Sequence, residues 1–284
     1  MTGEGAFGAR LRAAMDERGP LCVGVDPHPR LLTDWGLDDN AAGLDRFAMT
    51  AVEALAPQVA MLKPQSAFFE RYGSAGIAVL ERVVARAREA GCLVLLDVKR
   101  GDIGSTVQAY ADAYLDPASP LAADAVTASP FLGFGSLDPM LDTARKHDRG
   151  VFVLALTSNP EGPEVQRARA ADGRTVAGSV LAQVAERNLG AQPMGSVGAV
   201  VGATIGQTSE DLAVNGPLLV PGLGAQGGTA ADIRRIFEGV LDNVVPTTSR
   251  DVLGAGPDGT ALTARAGEVA DSLRELLGAG SRPG

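Results

Sequence analysis

Eight short apolar runs, each followed by a stretch with helical period or turn-forming residues, divide this sequence at fairly regular intervals. They are LCVGVDP (21–27), VAMLKPQ (59–65), LVLLDVKR (93–100), AVTASPF (125–131), GVFVLALTSN (150–159), SVGAVVGAT (196–204), LLVPGLG (218–224) and NVVPTTSR (243–250). The clearest helical segment is 75–91, where Ile77, Leu80, Val84 and Ala87 fall on one face and Gly91 supplies the stop. Segments 175–190 and 261–278 repeat that pattern. Strands so continuously hydrophobic are covered on both faces, as parallel strands are. Eight β–α alternations of this length predict a closed (β/α)8 TIM barrel rather than an open sheet. An extra N-terminal helix is expected over about residues 6–18, before the first strand. At 284 residues the chain is long for one average domain, but barrels of this kind commonly reach that size undivided. No interdomain linker interrupts it, so residues 1–284 are read as a single barrel domain with a frayed tail over about 279–284. The longest irregular stretch, 158–174, is unusual for a βα loop and is a candidate lid.

In such a barrel the chemistry sits at the C-terminal ends of the strands. Polar groups converge there from six of them: Asp26; Lys63; Asp97, Lys99 and Asp102; Thr127 and Ser129; the glycine-rich PGLGAQGG; and Ser249 with Arg250. The third strand carries the sharpest signal. Asp97 and Lys99 are two apart, so on a regular strand they face the same way, roughly 7 Å apart along the backbone. Gly101 lets the chain turn before Asp102. With Lys63 arriving from the neighbouring strand, two carboxylates and two ammonium groups are expected to form one alternating network, each acid keeping its base charged.

Lysine usage strengthens this reading. Of 25 basic residues only Lys63, Lys99 and Lys146 are lysines, and the first two lie in apolar runs where charge is expensive to bury. Arginine cannot give up a proton near neutrality, whereas a desolvated or paired lysine can. In GLGAQGG, Gly222, Gly224 and Gly227 fit G-x-G-x-x-G, with Asp242 further on. A dinucleotide reading is rejected because the motif follows the seventh strand and Asp242 precedes the next one. Loops after strands seven and eight of barrels often bind phosphate instead, and Gln226 and Arg250 there suit an organic phosphate.

The pattern Asp97-x-Lys99-x-x-Asp102-Ile103-x-x-Thr106, with GVDPHP, MLKPQ, TASPF, PGLGAQGG and TTSRDVL in order along the chain, resembles the orotidine 5′-phosphate decarboxylase family. The TSNPEG start of the fifth loop is similar to its second bacterial group, and the likeness spans the whole barrel. The resemblance implies cofactor-independent decarboxylation of orotidine 5′-monophosphate to uridine 5′-monophosphate, the last step of de novo UMP synthesis. It implies Lys99 as proton donor to C6, Asp97 beside the departing carboxylate, and Lys63 bonded to Asp97 and the ribose. It also implies a homodimer in which Asp102, Ile103 and Thr106 reach the partner's site. Asp26 would bind a ribose hydroxyl and Ser129 the pyrimidine; Gln226 and Arg250 would take the phosphate, with Pro221 lining the site. The chain departs from the group's usual pattern at Asp251, where a small residue commonly follows the arginine.

Two alternatives stay open at this stage. One is 3-keto-L-gulonate 6-phosphate decarboxylase, which uses a divalent metal and acidic rim ligands; here the second strand ends in Lys63-Pro64 without such a ligand. The other is a catalytically silent dimer that kept the fold. A net charge of −9 argues against nucleic acid. No apolar run approaches the roughly 18 residues of a membrane span, and no signal peptide is evident, so a cytoplasmic protein is expected. His28 and His147 are isolated from other ligating residues, so neither metal nor cofactor is expected. Cys22 and Cys92, at strand starts, read as buried free thiols.

Overall fold

The computed structural model describes residues 5–223 and 227–278. Eight parallel strands close into a barrel in sequence order, with β1 pairing both β2 and β8. They are β1 (Cys22–Val25), β2 (Met61–Pro64), β3 (Leu93–Arg100), β4 (Ala125–Ala128), β5 (Gly150–Leu156), β6 (Val197–Val201), β7 (Leu218–Pro221) and β8 (Val244–Thr248). Each lies within its predicted run, trimmed where rim residues leave the ladder to face the mouth. The expected tail over 279–284 lies outside the described residues.

Alternation along each strand sorts the core into two layers. Cys22, Met61, Leu93, Leu95, Phe152, Leu219 and Val245 fill the barrel interior. Val23, Leu62, Val94, Leu96 and Val153 point outward against the helices. The helix Phe7–Arg18, close to its predicted span, closes the base. Its Phe7 ring meets Phe152 edge-on at 5.9 Å between centroids. A Cβ on Gly150 would lie 2.4 Å from that ring, so glycine at the start of β5 is what admits the plug. Both cysteines are buried and free, and burial pushes the Cys22 thiol up to about 12. Among the described residues no helix is long and apolar enough to cross a membrane.

Two local expectations change. Helix Gly73–Glu89 buries Val79 and Val83 alongside Leu80, Val84 and Ala87, while Ile77 is only half-buried. The stretch 158–174 is not irregular throughout, because it holds the short helix Gly162–Gln166. Gln166 fastens that helix to the end of β5: it accepts from Thr157 N at 3.0 Å and donates to Thr157 Oγ1 at 2.6 Å.

Candidate active site

Interior parity carries Leu93 and Leu95 into the barrel and therefore Asp97 to its mouth. Lys63, opposite Gly24 in the β1–β2 register, arrives from the adjacent strand. Its Nζ donates to Asp97 Oδ2 at 2.9 Å. Lys99 Nζ donates to Asp97 Oδ1 at 2.5 Å, and the Thr127 hydroxyl donates to the same oxygen at 2.8 Å. One carboxylate is thus saturated by two ammonium groups and a hydroxyl. Burial pushes the Asp97 carboxyl up, but Lys63 and Lys99 outweigh it and hold the group well below the usual carboxylate range. Burial likewise pushes Lys63 down, and the charges of Asp26 and Asp97 reverse this and lift it above an ordinary lysine. Lys63 and Asp97 side chains are each 8% exposed, whereas Lys99 is 45% exposed and faces the opening.

Lys99 and Asp97 do meet, but not through a regular strand. The β3–β4 register shifts between Leu96 and Arg100, and Lys99 has φ +45°. That left-handed conformation is uncommon for a residue with a side chain and marks a bulge. The Lys99 N–H, lost to the ladder, donates to Thr127 Oγ1 at 2.9 Å. Thr127 therefore holds both the backbone of one member of the cluster and the carboxylate of another. Strained backbone fixed by its surroundings in this way is a feature of functional sites.

The Lys63–Asp97 pair divides the mouth into two cavities that also share Pro221. One, of about 210 Å³, is polar and includes Asp26, His28, Gln65, Ser249 and Arg250. The other, of about 240 Å³, has an apolar floor of Leu154, Val200 and Leu219, with Lys99, Thr127 and Asn159 on its walls. A ligand with one charged, hydroxylated end and one flat end fits that division, the cations lying between.

Most predicted residues gather here: Lys63, Asp97 and Lys99 in the cluster, Asp26, Pro221 and Arg250 along the walls. Within one chain the cluster holds three of the four expected charged groups, Lys63, Asp97 and Lys99. Gly101 turns the chain away from the mouth, and the Asp102 carboxylate takes the Ile103 N–H at 2.8 Å; among the described residues Asp102 has no ion-pair partner. Ile103 is 62% exposed and Thr106 is exposed beside it. Ser129 lines neither cavity; its N–H is tied to Arg100 O at 2.8 Å. Gln226 lies outside the described residues. The structure adds Thr127 to the cluster, and Gln65, Thr157, Ser158 and Asn159 to the cavity walls. Thr127 lies inside β4, whereas Gln65, Thr157, Ser158 and Asn159 lie just beyond strand ends, which was the available signal. Among the described residues no group of three or more His, Cys, Asp or Glu side chains is placed to hold a metal ion.

Comparison with known proteins sharpens this picture. Residues 19–264 match the family model described as orotidine 5′-phosphate decarboxylase / HUMPS family. A Nocardioides orotidine 5′-phosphate decarboxylase is 68% identical over 250 residues, covering 87% of this chain and 91% of the relative. The Salinispora tropica enzyme of that name is 64% identical over 273 residues, 96% and 98% of the two chains. A crystal structure from Streptomyces avermitilis, provisionally given the same name, superposes with a TM-score of 0.95 at 58% identity over 98% of each chain.

Proposed function

The chain belongs to the orotidine 5′-phosphate decarboxylase family, and from that premise we propose how its own side chains convert orotidine 5′-monophosphate to uridine 5′-monophosphate and CO2. The pyrimidine occupies the apolar-floored cavity and the ribose phosphate the polar one, so that C6 and its carboxylate lie over the cluster. Breaking the C6–carboxylate bond leaves its electron pair in the ring plane, where no neighbouring π system accepts it. The Lys99 ammonium lies where that charge develops and transfers a proton from Nζ to C6, forming the C–H bond as CO2 leaves; solvent reprotonates the amine. Lys63 and Thr127 hold Asp97 fixed, and Asp97 holds Lys99, so little reorganises as charge moves. Asp97 lies beside the departing carboxylate. Asp26 accepts from a ribose hydroxyl, while Arg250 takes the phosphate, whose binding energy positions the ring.

The observation that carries this reading is the lysine–aspartate–lysine cluster at the junction of the two cavities. Its test is Lys99→Ala: turnover of orotidine 5′-monophosphate, followed by absorbance, should disappear while affinity for uridine 5′-monophosphate stays within several-fold. Substantial activity in that variant would end the assignment.

The whole barrel acts as one domain, in the cytoplasm, as one half of a homodimer. Support for the dimer comes from the exposed turn bearing Asp102, Ile103 and Thr106, and from Phe131 and Leu132, 77% and 54% exposed. Apolar side chains of this size are seldom left in water together. If Asp102 completes the partner's site, inactive Lys99→Ala and Asp102→Ala proteins regain activity on mixing.

A further inference from the structure

Three buried oxygen atoms on residues of the polar cavity have no hydrogen-bond partner among the described residues: Asp26 Oδ1, Thr248 Oγ1 and Ser249 Oγ. An unmade bond of this kind is expensive when water is excluded. Of these, Asp26 and Ser249 approach each other across Gly24. A Cβ on Gly24 would lie 3.0 Å from Ser249 Cβ and 3.2 and 3.3 Å from the Asp26 carboxylate oxygens. Gly24 is therefore needed for space: any side chain would fill the gap between hydroxyl and carboxylate.

Ser249 also sits where serine ordinarily caps a helix, just before the short turn Arg250–Leu253, yet its side chain makes no capping bond. Among the described residues the hydroxyl has no hydrogen-bond partner. What can satisfy both atoms is set by their chemistry. The Asp26 carboxylate only accepts, whereas a serine hydroxyl can donate. A phosphate would put negative charge against Asp26, and a pyrimidine carbonyl has no hydrogen to offer it. A sugar hydroxyl meets both requirements.

We propose that Ser249 is a sugar-positioning residue whose hydroxyl, paired with the Asp26 carboxylate across Gly24, brackets one ribose hydroxyl of the bound nucleotide. The carboxylate takes the sugar's proton and the serine donates to its lone pair. Because Arg250 follows directly, the same turn fixes the ribose and the phosphate relative to each other. This rests on the nucleotide reading above and adds a residue to it.

The test is Ser249→Ala in the full chain, with uridine 5′-monophosphate and its 2′-deoxy and 3′-deoxy forms as probes. Removing an unpartnered hydroxyl should leave the ligand-free melting temperature unchanged or higher. The dissociation constant for uridine 5′-monophosphate should rise about 5–30-fold, the range of a lost hydrogen bond. One deoxy nucleotide should bind native and variant proteins with nearly equal affinity, because its partner atom is already gone. If the variant weakens all three probes by the same factor, binds them as the native protein does, or melts lower without ligand, the serine does not touch the sugar and the proposal fails. Should the variant be poorly soluble, Gly24→Ala is the second probe; it should lose the same discrimination between ribose and deoxyribose, and retained discrimination would overturn the proposal. A native protein that turns over orotidine 5′-monophosphate while these couplings are absent sinks only the Ser249 role. One that neither turns over that substrate nor binds uridine 5′-monophosphate sinks both readings.

Discussion

Two aspartates among the described residues are buried in this barrel, one at each end, and each is held by two cations. Asp97, at the mouth, is gripped by Lys63 and Lys99. Asp124, just before β4 at the base, is gripped by Arg10 at 2.7 Å and Arg149 at 2.8 Å, and its second oxygen takes the Val94 N–H at 3.0 Å. The base cluster is closed: Asp124 is fully enclosed, and it ties the N-terminal helix to the starts of β3 and β5. The mouth cluster is open on the Lys99 side, onto a cavity. A buried ion pair is therefore not in itself a sign of function. What separates the two is an exchangeable proton and somewhere to deliver it, since arginine holds its proton where lysine can release it.

The largest effect should come from exchanging that one property. Lys99→Arg keeps the charge and the pairing with Asp97 but removes the usable proton. We predict a loss in kcat of about 10²–10⁴-fold, with thermal stability close to native. Near-native turnover by the arginine protein would erase the distinction drawn above.

Cutting the base cluster should do the reverse. Asp124→Asn leaves two largely buried guanidinium groups without their charge partner, which costs roughly 3–5 kcal/mol. At about 2–4 °C per kcal/mol for a domain of this size, the melting temperature falls by about 10 °C. Turnover at 25 °C should be unchanged in the folded protein. A large drop in kcat with an unchanged melting curve would show that the base also serves the chemistry.

This asymmetry explains what could be read from sequence. The barrel was legible because both strand faces are apolar and the runs recur eight times. Asp97, Lys99 and Lys63 stood out because charge interrupts an apolar strand, and Asp26 and Arg250 because they end strands at the rim. Asp124 also interrupts an apolar run, LAADAV (121–126), but at the base end of its strand, away from the rim where such barrels carry their chemistry, and its cation partners are 114 and 25 residues away. Thr127 was visible as a rim residue, but its two hydrogen bonds, donated to Asp97 and accepted from the Lys99 N–H, depend on a bulge that strand parity does not encode. Asp102 lies beyond β3, and residue spacing, which fixes direction on a strand, says little once Gly101 has turned the chain.

Titration should probe the mouth cluster more gently. Asp97 is depressed in the fold, so its contribution is complete above the ordinary carboxylate value and is lost as pH falls through its lower native one. Lys63 is raised, so its contribution is complete below the ordinary lysine value and is lost only as pH rises through the higher native one. Between about pH 5 and 9 neither group changes charge in either state. In denaturant melts, the stability gap between the native protein and Asp97→Asn should be flat across that window and narrow below about pH 4. Narrowing between pH 6 and 8 would mean that the cluster is held in some other protonation state.

The smallest effect should come from the exchange at the base that mirrors Lys99→Arg. Arg149 is largely buried, its Nε lacks a partner among the described residues, and burial pushes its pKa down. Arg149→Lys retains a cation near Asp124 but shortens the reach of the donor and buries a more strongly hydrated head group. A loss of roughly 0.5–1.5 kcal/mol, the worth of one hydrogen bond, would lower the melting temperature by only a few degrees. Turnover should not change, because nothing at the base hands over a proton. The same pair of residue types, exchanged in opposite directions at opposite ends, would then remove catalysis in one case and hardly disturb the protein in the other. If Arg149→Lys instead lowers kcat, the two ends are coupled through β3 and β4, and the division between a fastening base and a reacting mouth is wrong.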